Sequence, residues 1–166
     1  MFPSALTVDH LRRLVRYDQD TGTFTALADR GKIRRGDLIR GSLSHGYSMI
    51  FIEWTRYSAH RLAWFYMTGE WPSGPIDHRD GVKDNNRWSN LRAVTQGVNL
   101  QNQRTARRNN RTGLLGVGRA DSETNPFRAR IVLDGKERHL GCFKTADEAS
   151  AAYLTAKREL HVGCSI

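Results

Sequence analysis

Residues 77–86 read Asp-His-Arg-Asp-Gly-Val-Lys-Asp-Asn-Asn, and this polar, turn-rich stretch decides how the middle of the chain folds. The run that follows over residues 88–95 reads Trp-Ser-Asn-Leu-Arg-Ala-Val-Thr and predicts a turn that enters a short strand. Asn90 lies 12 positions after His78, and Asn99 lies nine positions after Asn90. We therefore expect a hairpin with a long polar loop, followed by a helix that begins near Asn99.

Asp77 and His78 carry side chains that suit the hydrolysis of a phosphodiester. An imidazole with a pKa near ~6.5 is partly neutral at working pH, so His78 can act as a general base. Asp77 offers a hard carboxylate oxygen, and a carboxylate combined with an amide oxygen suits Mg²⁺. A lone Asp-His pair is most often a surface turn. Its combination with two asparagines at this spacing favours a nuclease site.

The charge of the chain indicates a polyanionic partner. Its 166 residues carry a formal net charge of +9, and the pI is near 10.1. Basic surfaces neutralise phosphates and release counterions, so a nucleic acid is the expected partner. Ribosomal or membrane-surface binding could also use such a charge.

The sequence gives no sign of a membrane protein or of a zinc-knuckle protein. No apolar run approaches the roughly 20 residues that a membrane span needs, and no secretory signal is visible at the N-terminus. The cysteines, Cys142 and Cys164, form no Cys-x-x-Cys pair that could hold zinc. Two free thiols fit a reducing compartment, so we expect a cytoplasmic protein with no membrane partner and no small-molecule cofactor.

The N-terminal part predicts a helix followed by a small sheet. Thr7 can cap a helix whose face includes Leu11, Leu14 and Val15, and residues 17–22 predict a turn. A basic loop is expected over residues 31–37. Short strands are expected at residues 23–27, 39–43, 47–52 and 56–58, and a second helix at residues 59–67.

A basic connector runs over residues 101–112. It holds four closely spaced arginines, and two interpretations remain open: a solvated linker, or an arm that tracks DNA along a groove. The arginines are Arg104, Arg107, Arg108 and Arg111.

The C-terminal part predicts three strands and one helix. The strands are expected at residues 116–119, 127–133 and 137–143, with Asp134-Gly135 as a hairpin turn because both residues accept positive φ. Thr145 and Glu148 have the spacing of a capping box. An apolar face follows at helical spacing, formed by Ala149, Ala152, Tyr153, Ala156 and Leu160.

The middle of the chain resembles the HNH nuclease motif, the ββα-metal finger, in a variant with Asp-His at its start. Further segments resemble phage and bacterial HNH endonucleases of the homing type, namely 17–18 with 22, 46–47, 60–64, 68–72 and 90–92. The resemblance implies that Asp77 and Asn99 hold one Mg²⁺ or Mn²⁺ per finger. It implies that His78 is the general base and that Asn90 belongs to the catalytic set, since it ties the loop and orients the imidazole. It also suggests that Arg61 contacts a phosphate.

The C-terminal part resembles an AP2/ERF DNA-binding domain. The marks are Gly116-Val117, Phe127 to Ile131, Leu140 to Phe143 and the alanine-rich helix with Tyr153. The resemblance implies a three-stranded sheet in the DNA major groove. Alternation along a strand turns Arg128 and Arg130 outward, and the DNA-facing positions would also include Arg119 and His139.

We therefore expect an α+β protein: an HNH nuclease domain over residues 1–103 with its finger at about 74–103, a basic linker over 104–112, and an AP2-like domain over 113–166. The N-terminal helix–sheet module leads into the finger, and a three-stranded antiparallel sheet packs on one helix in the AP2-like domain. The expected function is a site-specific DNA endonuclease of the homing type that acts as a monomer on double-stranded DNA and nicks one strand. Two alternatives stay open: a sequence-tolerant phage or bacterial nuclease for packaging or defence, and a DNA-binding regulator with a silent finger.

Overall fold

The computed structural model describes residues 6–161 and residue 164. The chain divides into two compact units between Val94 and Thr95. The helix near Asn99 and the basic connector therefore belong to the second unit. The predicted boundaries at residues 103 and 112 concern functional domains and stay predictions. Within the described residues, no helix is long and apolar enough to cross a membrane.

The first unit contains two α-helices, a 3₁₀ helix at Trp88–Asn90 and seven strands among its described residues. Three small antiparallel sheets form, with strand orders β1-β2, β3-β4-β5 and β6-β7. The elements are α1 Val8–Leu14, β1 Val15–Asp18, β2 Thr23–Ala26, β3 Ser42–Ser44, β4 Tyr47–Ile52, β5 Thr55–Ser58, α2 Ala59–Thr68, β6 Ile76–His78 and β7 Leu91–Ala93.

Local sequence signals explain both α-helices of this unit. The Thr7 side chain accepts a hydrogen bond from the His10 backbone N–H, so the predicted cap of α1 is confirmed. Helix α2 ends at Gly69, whose φ of 82° is the left-handed conformation that closes many helices. The two helices and the sheets bury one apolar core, which includes Leu11, Val15, Phe24, Ile50, Ile52, Leu62 and Phe65.

Two sequence predictions in this unit were wrong in detail. The strand expected at residues 39–43 is only Ser42–Ser44, because the Ile39 backbone N–H donates to the Phe24 carbonyl in an irregular segment. The turn expected to begin at Tyr17 begins later, since Tyr17 and Asp18 pair with β2 in strand β1. The Asp18 carboxylate then accepts two backbone N–H groups and forms the turn.

The second unit is a three-stranded antiparallel sheet with a helix packed on one face. The sequence predicted three antiparallel strands and a helix, and the structure gives the strand order as β10-β9-β8. Its elements are α3 Gln96–Gln101, β8 Val117–Arg119, β9 Phe127–Leu133, β10 Lys136–Phe143 and α4 Ala146–Leu160.

The core of the second unit lies between α4 and the inner face of the sheet. Ala149, Tyr153 and Ala156 of α4 are buried with Ala129 and Ile131 of β9. The capping box is confirmed, since Thr145 accepts from the Glu148 N–H and the Glu148 carboxylate accepts from the Thr145 N–H. The Asp134-Gly135 turn is also confirmed, with φ of 50° and 75°. Leu160, the last residue of the predicted apolar face, is exposed.

Candidate active site

Asp77 and His78 lie on strand β6, whose three residues are all buried. The strand pairs with β7 so that Asp77 faces Arg92 and His78 faces Leu91 across the hairpin. Asp77 is 7% exposed and His78 is 4% exposed. Such burial of a carboxylate and an imidazole requires nearby polar partners, and the structure supplies them.

Arg92 is the partner of Asp77. Its Nε and Nη2 donate to the Asp77 Oδ2 at 3.0 and 2.8 Å. Cross-strand neighbours in an antiparallel pair lie within side-chain reach, which is how the register brings these two residues together. Sequence analysis missed this ion pair, although the predicted hairpin contained the signal: a basic residue opposite an acidic one. The pair fixes the carboxylate in one orientation.

Asn90 ties together the loop that joins the two strands. Its Oδ1 accepts from the Asp80 N–H at 3.0 Å, and its Nδ2 donates to the Asp80 Oδ1 at 2.9 Å and to the Asn85 carbonyl at 2.8 Å. The Asn90 carbonyl accepts from the Arg79 N–H. All of these partners lie between His78 and Asn86, so one buried amide holds the start and the end of the loop. Its predicted place in a catalytic set stays a prediction.

Asp80 gives the same loop a fixed negative charge. Partial burial would raise the pKa of Asp80, but hydrogen bonds from Asn85, Val82 and Asn90 outweigh it and hold the pKa below its usual value. The shortest of these bonds joins the Asn85 Nδ2 to the Asp80 Oδ2 at 2.6 Å. The loop is therefore closed by a carboxylate that stays ionised at neutral pH.

The imidazole of His78 is held by a hydrogen bond and by ring contacts. Its Nε2 lies 3.2 Å from the Asn86 Oδ1. The ring of His60 stands edge-on to it at a centroid distance of 5.1 Å, and the ring of Tyr47 lies 6.0 Å away. Sequence analysis treated Asn86 only as a turn residue and missed this contact.

His60 is a packed, neutral histidine. It is 8% exposed, and its Nδ1 has no hydrogen-bond partner among the described residues. Burial, with smaller contributions from the neighbouring His78 and Arg61, lowers the pKa of His60 to about 4. The uncharged ring adds no positive charge beside His78.

Arg61 points into the protein. Its Nη1 donates to the Gly74 carbonyl at 3.0 Å and its Nη2 to the Pro72 carbonyl at 3.1 Å. These bonds hold the segment that enters β6. The arrangement favours a structural role for Arg61 over the phosphate contact expected from the sequence.

Asn99 lies on α3, in the second unit, where its backbone N–H donates to the Thr95 carbonyl. The structure thus brings Asp77, His78 and Asn90 together in one hairpin. The role of Asn99 as the second metal ligand stays a prediction.

The donor chemistry of the predicted set fits a hard divalent cation. Asp77 supplies carboxylate oxygen and Asn99 an amide oxygen, and Mg²⁺ is bound in proteins by few such ligands with several waters. Among the described residues, no group of three or more His, Cys, Asp or Glu could hold a metal by itself. The choice of Mg²⁺ or Mn²⁺, expected from the hardness of these oxygen ligands, stays a prediction.

A second polar surface lies on the outer face of the second unit. Arg128 and Arg130 are exposed and alternate with the buried Ala129 and Ile131, as the sequence predicts. Arg130 forms an ion pair with Glu137 at 3.0 Å. His139 pairs with Arg130 across the sheet, and its Nε2 lies 3.7 Å from the Cys142 sulfur.

A groove of about 1000 Å³ in the second unit is lined by the connector and by sheet residues, both the outward Arg128 and Arg130 and the buried Ile131. Five of the predicted DNA-contacting arginines border it, from both the connector and the sheet: Arg107, Arg111, Arg119, Arg128 and Arg130. The side chain of Arg119 rests on the Phe127 ring, with its guanidinium carbon 4.5 Å from the ring centroid. Convergence of these cations produces a positive concave surface, which suits a polyanion.

The end of the connector is anchored. Asn110 Nδ2 donates to the carbonyls of Leu114 and Val117 at 3.0 and 3.2 Å, while Asn110 Oδ1 accepts from the Thr112 N–H and hydroxyl. These bonds tie residues 110–112 to the start of β8. The four connector arginines, Arg104, Arg107, Arg108 and Arg111, are exposed.

Comparison with known proteins gives this site a class. Residues 57–101 match the family model for HNH endonuclease, a segment that includes Asp77, His78, Asn90 and Asn99. The chain is also 38% identical over 97 residues to DNA endonuclease I-HmuI of Bacillus phage SP01. That match covers 55% of this chain and 52% of the relative, so the chain spans about half the length of the relative. No solved structure is significantly similar to the chain.

Proposed function

We propose that the chain is a metal-dependent DNA endonuclease of the homing type that hydrolyses phosphodiester bonds. The observation that carries this is the buried hairpin within the HNH segment, where Asp77, His78 and Asn90 are each held by their own hydrogen-bond partners: Arg92, Asn86 and the Asp80–Asn85 loop. The similarity to a phage DNA endonuclease supports the same activity.

The mechanism assigns one task to each side chain. His78 accepts a proton from a water molecule that attacks the phosphorus. Asp77 and Asn99 would hold a divalent cation, which when bound stabilises charge on the phosphate and on the departing 3′ oxygen. Arg92 keeps the Asp77 carboxylate oriented, and Asn90 holds the loop in place. The products carry 5′-phosphate and 3′-hydroxyl ends.

The second unit would hold the DNA. The proposed interface is the AP2-like sheet face with the connector, and the groove bordered by arginines from both supports it. Guanidinium groups can contact phosphates or read guanine edges bidentately. One finger holds one catalytic set, so we propose that a monomer makes one cut per visit and nicks the duplex.

A nicking assay tests this function. Supercoiled plasmid carrying the natural target region, incubated with Mg²⁺, should relax to the open circle, and EDTA should prevent the conversion. His78→Ala should lower the cleavage rate by about 10³-fold because a general base contributes on that scale. Its affinity for the same DNA in a shift assay should be unchanged.

His10→Ala is the matched control, since it removes a partly exposed histidine whose partner is Glu53 and should leave cleavage intact. Equal loss of binding and cleavage in His78→Ala would contradict its role as base. DNA binding without any metal-dependent cleavage by the unaltered chain would favour a regulator with a silent finger. Cuts scattered over a long random-sequence DNA would favour a sequence-tolerant nuclease, because a homing enzyme makes few discrete cuts.

A further inference from the structure

The orientation of the Asn86 side chain is fixed by what surrounds it. Its Nδ2 donates to the Asp84 carbonyl at 3.1 Å. A carbonyl oxygen can only accept a hydrogen bond, so the amide nitrogen must face Asp84 and the amide oxygen must face His78. The usual ambiguity between the two ends of an asparagine amide is thereby removed.

This orientation determines which nitrogen of His78 carries the proton. The Asn86 Oδ1 lies 3.2 Å from the His78 Nε2, and since that oxygen only accepts, Nε2 must be the donor. In a neutral imidazole with its proton on Nε2, the lone pair able to take a proton is on Nδ1. We propose that Asn86 is a positioning residue that fixes His78 in the Nε2–H tautomer and assigns the role of base to Nδ1.

The N-terminal hairpin holds Asn86 in place. The Tyr17 hydroxyl donates to the Asn86 carbonyl at 2.6 Å, and burial raises the pKa of Tyr17 above its usual value, so the phenol keeps its proton. The Trp88 N–H donates to the Gln19 carbonyl at 2.9 Å. Asn86 itself is 5% exposed.

Gly22 allows the hairpin to approach this closely. A β-carbon at Gly22 would overlap the backbone of Asn86 and Arg87, and its φ of +74° favours glycine. The β1–β2 turn therefore sets the position of the Asn86 backbone, and Asn86 sets that of the imidazole. This gives the N-terminal hairpin a task in the chemistry: it supports the residue that orients the base.

The proposal rests on the proposed role of His78 as a base, so its test includes a measurement that does not depend on cleavage. Full-length protein with ¹⁵N-labelled histidine is studied by long-range ¹H–¹⁵N NMR at neutral pH without DNA or metal. His78 is assigned by the signals lost in His78→Gln. Protonated and unprotonated ring nitrogens resonate far apart, and exchange between tautomers draws the two signals together.

Three variants accompany the unaltered chain. Asn86→Leu removes the acceptor at similar volume, Asn86→Asp keeps an acceptor oxygen, and Ser89→Ala changes an exposed neighbour as a control. In the unaltered chain, Nε2 should carry the proton and Nδ1 should be unprotonated. Asn86→Leu should draw the two signals together and lower kcat by about 10- to 100-fold with little change in KM, as expected when support of a reacting group is lost. Asn86→Asp cannot donate to the Asp84 carbonyl, but its carboxylate still accepts from Nε2, so Nε2 should stay protonated.

The outcomes separate this proposal from the proposed function. An Nδ1–H tautomer in the unaltered chain would overturn the positioning role of Asn86. So would an Asn86→Leu variant that keeps both the separated nitrogen signals and kcat. Should Asn86→Leu not fold, an Nε2–H tautomer retained in Asn86→Asp supports the proposal and an Nδ1–H tautomer there overturns it. If the tautomer depends on Asn86 but no DNA is cleaved, the positioning role stands and the nuclease function fails.

Discussion

The β6–β7 hairpin of the first unit, where catalysis is proposed, and the arginine face of the second unit use polar residues in opposite ways. Asp77, His78 and Asn90 are each at most 8% exposed and are held by short hydrogen bonds. Arg128 and Arg130 stand exposed on a regular strand. Chemistry needs groups that are held in one geometry, whereas binding of a polyanion needs charges that can reach phosphates.

The two regions should therefore respond differently to substitution. Removal of one member of the buried network leaves other buried groups unpaired, so the effects are large and not additive. Removal of an exposed arginine subtracts one charge from a sum, so the effects are small, nearly additive and dependent on salt. The predictions that follow test this contrast.

The largest effect is expected for Asn90→Ala. The substitution leaves the Asp80 N–H, the Asp80 carboxylate and the Asn85 carbonyl without their amide partner. Loss of three partly buried hydrogen bonds should lower the free energy of unfolding by about 3 kcal/mol. Urea denaturation of the full chain measures this, and the cleavage rate should fall with it because the loop carries Asn86.

Asn109→Ala serves as the control, since Asn109 is an exposed residue of the connector. It should change the free energy of unfolding by less than about 0.5 kcal/mol. A loss for Asn90→Ala no greater than that of the control would show that the loop is not held by this amide, and the contrast between the two regions would weaken.

Elements whose signals lie within a few neighbouring residues could be predicted from the sequence. Thr145 and Glu148 specify a cap within four residues, and the alternation of Arg128, Ala129, Arg130 and Ile131 specifies which face of β9 is buried. Asp77, His78 and Asn90 could also be chosen from the sequence as candidate site residues, because the hairpin that contains all three is one continuous segment.

Contacts between distant segments could not be predicted. Arg61 binds carbonyls of a segment more than ten residues away, so its sequence neighbours give no sign that it points inward. The support of Asn86 by Tyr17 joins residues 69 positions apart. Ile39 reads as a strand residue by its type, yet its backbone N–H pairs with Phe24 outside a regular ladder. Tertiary packing decided each of these cases.

The second largest effect is a dependence of stability on pH that comes from His60. Its pKa is about 4 in the folded chain and should be about 6.5 when unfolded. Between these values the unfolded chain binds more protons, so the stability present above pH 6.5 is lost as the pH falls. From pH 7 to 4.5 the loss assigned to His60 should be about 2 kcal/mol.

His60→Phe tests this, because phenylalanine keeps a ring against His78 but cannot be protonated. Urea denaturation at pH 7 and 4.5 should show a smaller difference for the variant than for the unaltered chain. His45→Asn, which removes an exposed histidine, should keep the full difference. An unchanged pH dependence in His60→Phe would mean that burial of this ring does not oppose its protonation.

The smallest effects are expected on the arginine face. Arg128→Ala should weaken binding to a DNA duplex by about tenfold and reduce the slope of log K against log salt by about 1. Arg130→Ala should have a smaller effect, because Glu137 already neutralises part of the Arg130 charge. Glu137→Gln removes that negative charge and should therefore tighten binding. Fluorescence anisotropy over a range of salt concentrations measures all three.

Arg158→Ala, on the exposed side of α4, is the control and should leave the salt slope unchanged. If Arg158→Ala lowered affinity and slope as much as Arg128→Ala, the binding would depend on net charge alone, and the outer sheet face would have no particular part in it.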